Sequence, residues 1–167
     1  MSSVLMKSVS GIRGIVGGSF TPELISQAGA AFATFCKYGT VVVGRDSRPT
    51  GEALAMNLMS VLMLNGCDVI DIGIVPTPTV QIMVEEMNAA GGIVMSASHN
   101  PVEWNALKLI NSSGTFLNAS QISRLFSLME KPPVYRKWDR IGRMERMLNA
   151  STVHIDRVLS VVDIERI

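Results

Sequence analysis

Short β-branched runs alternate along the chain with stretches whose apolar residues recur at helical spacing, the pattern of a βαβ arrangement. A first strand is predicted over Val4–Val9. Thr21-Pro22-Glu23 then has the form of a helix start: a hydroxyl cap, proline at the first position and an acid in the first turn. Leu24, Ile25, Ala28, Ala31, Phe32 and Phe35 follow on one helical face, and Gly39 closes that element. Val41–Val43 reads as a buried parallel strand. A second helix is predicted from about Thr50 to Asn65, with Leu54, Leu58, Val61 and Leu62 inward and Gly66 as its stop. Val69–Ile72 is the next strand, and Pro76-Thr77-Pro78 opens a helix through Met87. Gly91–Met95 and Ala106–Asn111 are strands, the second followed by a turn at Asn111–Gly114. Asn118 with Gln121 makes a capping box for a helix carrying Ile122, Leu125, Phe126 and Met129, ended by Pro132-Pro133. A polar, basic connector reaches Asn149. Ser151 is expected to cap a last helix through Val162 that runs to the end of the chain. The series predicts a three-layer α/β/α domain with a mostly parallel, mixed sheet.

Composition narrows this reading. A chain of 167 residues suffices for one compact domain. Hydrophobic residues are 47% and charged residues 17%, as suits a sheet covered on both faces or a surface that docks against further domains. With a net charge of +1, no global field points to nucleic acid or membrane. The one local bias is Lys131, Arg136, Lys137, Arg140, Arg143 and Arg146, read as a solvated basic connector in preference to a polyanion site. Cys36 and Cys67 lie outside any ligand spacing and are expected to be buried free thiols of a reducing compartment. No stretch approaches the ~18 apolar residues of a membrane span, and no leader pattern is present, so a soluble, cytoplasmic protein is expected.

Candidate chemistry gathers in three polar segments predicted to be loops at the carboxyl edge of the sheet, where ligands of open parallel sheets collect. Ser10–Gly18 offers Arg13 among glycines. Gly44–Gly51 offers Arg45, Asp46, Ser47 and Arg48, and Ser96–Glu103 offers Ser96, Ser98, His99 and Asn100. Glycines admit close backbone approach, arginines bind phosphate through a fork of donors, and a serine can accept a phosphoryl group. Other readings stand beside this one. Ser98-His99 could be an ordinary turn before Pro101, and Lys108, alternating with apolar neighbours, an outward solvated lysine. His154 and the Met56, Met59, Met63 series read as packing rather than ligands.

Ser96-Ala97-Ser98-His99-Asn100-Pro101 resembles the serine signature of the α-D-phosphohexomutases. Ser10-Gly11-Ile12-Arg13-Gly14, Gly44-Arg45-Asp46-Ser47-Arg48 and Asn105-Ala106-Leu107-Lys108 follow that family's order. The resemblance covers residues 4 to 130 and implies the first domain of a multidomain phosphohexomutase. Residues 1–135 would form the phosphoserine domain, and 136–167 a connector and helix leading to a second domain. It implies that Ser98 carries the phosphoryl group, donates it to a sugar hydroxyl to form a bisphosphate, and takes the other phosphate back. Mg²⁺ would bind through the phosphate on Ser98. Lys108 would be the general acid/base and Arg13 would contact the phosphoryl group or orient Lys108. His99 and Asn100 would donate around serine or substrate. Arg45 is a phosphate-binding candidate or, with Asp46, a brace for the loops.

The chain departs from the family pattern at Ser8-Val9, where Gly-Thr is usual, and at Ala106, where glycine is usual. The acidic metal loop and the sugar- and phosphate-reading loops of later domains are absent, so this chain alone is expected to be nearly inactive. Its partners would be a hexose phosphate and those downstream domains; which sugar is turned over stays open. Two alternatives remain: a stand-alone phosphosugar-binding module, and a serine hydrolase or nucleotide-binding α/β domain.

Overall fold

The computed structural model describes residues 4–163, and the last four residues of the predicted closing helix lie outside them. In chain order the elements are β1 (Met6–Ser8), β2 (Gly11–Ile15), α1 (Pro22–Phe35), β3 (Val41–Arg45), α2 (Gly51–Leu64), β4 (Val69–Ile74), α3 (Thr77–Glu86), β5 (Gly91–Met95), β6 (Trp104–Asn111), α4 (Ala119–Met129), β7 (Met144–Arg146) and α5 (Ala150–Leu159). Among the described residues the strands form a single sheet in the order β1-β2-β6-β5-β3-β4-β7. β5, β3, β4 and β7 are mutually parallel. β6 runs against both β5 and β2, and β1 against β2. The predicted α/β class with a mixed sheet is therefore the observed one.

Strand periodicity divides the side chains between two faces. Ile12, Val41, Val43, Ile93, Met95, Leu107 and Leu109 point into one apolar core with Phe32 of α1, Leu58 and Leu62 of α2, and Ile122 and Leu125 of α4. Val42, Ile70, Ile72, Val94 and Ile110 point into the other, with Val80, Met83 and Val84 of α3. α3 packs on β3 and β5, and α5 packs on α3. The caps of two helices are as the sequence predicts. Thr21 accepts from the Leu24 amide at the start of α1. Asn118 and Gln121 form the reciprocal box of α4.

Three local predictions need correction. The segment 10–18, predicted to be a loop, contains β2, which pairs along its length with β6. Two glycines lower its intrinsic strand preference, yet one is required: Gly11 sits at φ +105°, and a Cβ there would overlap the carbonyl oxygen of Leu107. Within the basic connector, Met144–Arg146 forms β7 beside β4, held by the Arg143 amide on Asp68 (2.8 Å) and by Arg146 against Asp71 (3.3 Å). It has no β-branched residue and is exposed throughout, so the hydrophobic pattern could not reveal it. The connector is docked, not merely solvated: the Arg136 guanidinium stacks 4.0 Å from the Tyr38 ring centre. Finally, α5 begins two residues earlier than predicted, with Asn149 and not Ser151 at the cap position, and ends at Leu159.

Candidate active site

The chain crosses from β4 through α3 to β5, which lies on the far side of β3, so the strand order reverses between β3 and β5. Such a switch point separates the loops that leave the two strands and leaves a crevice between them. The segment after β3 and the segment after β5 meet there, joined by the Asp46 amide on the Met95 carbonyl at 3.0 Å. The second segment carries Ser98. Both Ser98 and His99 are exposed, and Ser98 adopts φ +57°. A left-handed backbone at a residue that is neither glycine nor asparagine costs free energy and persists only when its surroundings impose it.

Those surroundings are explicit. The Ser98 amide donates to the Ser96 hydroxyl (3.2 Å), and the Asn100 amide to the Ala97 carbonyl (3.1 Å). Arg48 reaches across from the β3 side. Its Nη2 donates to the carbonyls of Ser98 (2.9 Å) and Asn100 (2.7 Å), and its Nη1 to those of Pro101 (2.5 Å) and Trp104 (3.2 Å). Its Nε is held by the Asp46 carboxylate at 3.1 Å, and the Asp46 carboxylate also accepts the Arg48 amide.

Below the serine, a hollow of about 400 Å³ opens over β2 and β6, lined by Val9, Ser10, Arg13, Ser98, His99, Lys108, Phe116 and Leu117. Arg13 and Lys108 reach it from neighbouring strands. Arg13 pairs with Ala106 and Lys108 with Val94, so both side chains project from the face that α3 and α5 cover elsewhere. Arg13 Nη1 donates to the Asn100 side-chain oxygen at 2.6 Å, tying β2 to the serine segment. Lys108 Nζ donates to the Thr77 hydroxyl at the start of α3, 3.3 Å away. Partial burial holds the Lys108 ammonium below the ordinary lysine pKa. The nearby Arg13 charge adds to that shift, and Asp46 opposes it. The positive end of the α3 dipole acts in the same direction as Arg13.

The sequence-predicted residues thus separate into two groups. Ser98, His99, Asn100, Arg13 and Lys108 are brought together. Arg45 is not: it faces a different hollow beside α2, 3.7 Å from Glu52, among Met56, Met59, Asp71 and Arg146. The predicted brace of arginine and aspartate exists, but Asp46 pairs with Arg48. Arg45 only donates to the Asp46 carbonyl, at 3.3 Å. Sequence reasoning also gave no role to Thr77 or Phe116. Phe116 follows the turn after β6 and leaves 43% of its surface exposed at the hollow's rim. His154 does pack, its ring nitrogen 2.8 Å from the buried Thr79 hydroxyl.

Residues 5–135 match the family described as phosphoglucomutase/phosphomannomutase, alpha/beta/alpha domain I. The chain belongs to this family. A "Phosphoglucomutase/phosphomannomutase" of Thermococcus kodakarensis is 40% identical over 163 residues, covering 94% of this chain and 36% of that protein. A "Probable phosphoglucosamine mutase" of Methanopyrus kandleri is 39% identical over 156 residues, covering 93% and 34%. A crystal structure of a phosphoglucomutase/phosphomannomutase family protein from Burkholderia thailandensis superposes with a TM-score of 0.75 at 25% identity, covering 94% of this chain and 37% of that one. The chain spans about a third of the length of the relatives it matches. As a domain I, it places its serine segment where the two halves of the sheet diverge.

Proposed function

We propose that this domain supplies the phosphoryl-carrying serine of a phosphohexomutase, with Ser98 as the carrier and Lys108 as the general acid/base. The observation that carries the reading is the convergence on one hollow of an exposed, conformationally constrained Ser98 with Arg13, His99 and a lysine whose proton is loosened by burial. In the forward half-reaction the sugar hydroxyl oxygen bonds to phosphorus, and the bond from phosphorus to Ser98 Oγ breaks. The neutral Lys108 amine takes the hydroxyl proton and passes it to the departing Ser98 Oγ. In the return half-reaction Lys108 takes the Ser98 hydroxyl proton as Oγ attacks the other phosphate of the resulting bisphosphate, and gives it to the departing sugar oxygen. Arg13 offsets charge on the transferring oxygens. Phosphoryl transfer needs positioning and positive charge more than covalent chemistry from the protein, and Arg13 supplies a fixed positive charge at the hollow.

Mg²⁺ is the cation expected with a phosphorylated serine. No carboxylate lines the hollow, and no group of three acidic, histidine or cysteine residues suited to a metal occurs among the described residues. The unmodified side chains among the described residues do not fit a Mg²⁺ site. On the same donor set, turnover of hexose phosphates by this chain alone is expected to be slow or undetectable. A hydrolase that activates Ser98 through His99 lacks support, because no carboxylate in the hollow orients the imidazole.

The test is incubation with glucose 1,6-bisphosphate followed by intact-mass analysis and peptide mapping. A single phosphate on Ser98, absent from Ser98→Ala, is the expected result. Binding of the bisphosphate without transfer would favour the stand-alone binding module, and phosphate on another residue would remove Ser98 from the mechanism.

A further inference from the structure

The hollow is built from cations that face the ligand, but the most fully engaged cation in its neighbourhood faces the protein. Arg48 retains 11% side-chain exposure, and each of its guanidinium nitrogens has a hydrogen-bond partner. Four of its acceptors are backbone carbonyls within the single segment 98–104. Carbonyls are ordinarily satisfied by secondary structure, and a segment that lies outside strand and helix until Trp104 must find donors elsewhere. Here one side chain supplies them, and Asp46 fixes that side chain from behind at 3.1 Å.

We infer that Arg48 is the positioning residue of the phosphoryl-carrying loop, holding Ser98 in its left-handed conformation so that the hydroxyl stands over the hollow. This rests on the reading of Ser98 as the phosphoryl carrier. A planar fork with donors on both sides can span carbonyls from Ser98 to Trp104 at once, whereas a lysine ammonium concentrates its donors on one atom. Arg48 contacts no other group of the hollow's lining. Its removal should therefore alter the rate of transfer rather than the affinity for a phosphosugar. A carrier displaced by about 1 Å can lose roughly 100-fold in rate.

The test compares wild type, Arg48→Lys, Arg48→Ala and a charge control, Arg124→Gln on α4, for phosphorylation of Ser98 across a range of glucose 1,6-bisphosphate concentrations. Both Arg48 variants should lose about 100-fold in saturating rate with an unchanged half-saturating concentration, and lysine should not rescue. Full recovery in Arg48→Lys, or a rise confined to the half-saturating concentration, would overturn the inference in favour of simple charge or direct phosphate binding. A second measurement does not depend on phosphoryl transfer. Amide hydrogen exchange at Ser98, Asn100 and Trp104 should quicken several-fold in Arg48→Lys while the α1 and α2 amides keep their protection. If wild type takes no phosphate, the carrier reading fails and exchange still decides whether Arg48 orders the loop. Unchanged exchange in the loop overturns the inference whatever the chemistry.

Discussion

On one face of the sheet α1, α2 and α4 close over Ile12, Leu107 and Leu109 as well as the central strands. On the other, α3 packs on β3 and β5, α5 packs on α3, and a hollow remains over β2 and β6. β6 therefore has an apolar side, Leu107 and Leu109, and a side whose Lys108 meets Arg13 and Thr77. The same two strands serve packing on one side and line an open, cationic hollow on the other. Stability should reside mainly in the closed face, and reactivity in the face left open.

Substitutions can break that division. The largest effect is expected from Phe32→Ala, which empties the space under a fully buried ring of the closed face and should cost about 3–5 kcal/mol in urea unfolding. Asn118→Ala removes half of the α4 capping box and should cost about 1 kcal/mol, with no change in Ser98 chemistry. A larger loss of phosphorylation than of stability in either variant would contradict the division.

Lys108→Met should do the reverse, abolishing transfer while leaving the fold as stable or slightly more stable at neutral pH. The sign follows from the lowered lysine pKa. The unfolded chain keeps that proton to higher pH than the folded protein does, so wild-type stability rises with pH between the two values. Unfolding curves of Lys108→Met should be flatter over that interval, and a steeper rise would show the lysine to be stabilised as a cation. The smallest expected signal concerns the closed face. Cys67 is buried, its thiol pushed up to about 12 by desolvation and Asp68, and burial raises Cys36 as well. Neither should be alkylated in the native protein, and mass analysis after brief treatment with iodoacetamide checks it.

How far all this was legible differs from element to element. Helices α1 and α4 were readable because their caps are side-chain chemistry written in consecutive residues, Thr21 and Asn118. β3 and β5 were readable as apolar runs. β2 was hidden because two glycines weaken its strand pattern, and the need for Gly11 arises only once β6 lies alongside. β7 was hidden because it is held by edge hydrogen bonds and an ion pair and not by buried surface. Among the candidate residues, motif spacing singled out Ser98, Arg13 and Lys108, which the fold brings to one hollow. It could not distinguish Arg45 from Arg48, since three residues of bend after β3 send one guanidinium toward Glu52 and the other into the serine segment.

The pairing of β2 with β6 has a consequence for how the molecule comes into being on the ribosome. Ile12 is translated early, but Leu107, its partner, emerges only after the two central crossovers have been made. Until then the first hairpin has no sheet to join, and Arg13 has neither Asn100 nor Lys108 nearby. Closing so distant a pair is entropically slow, so the hollow should be among the last features completed during synthesis. A nascent chain arrested before residue 104 would be expected to lack it.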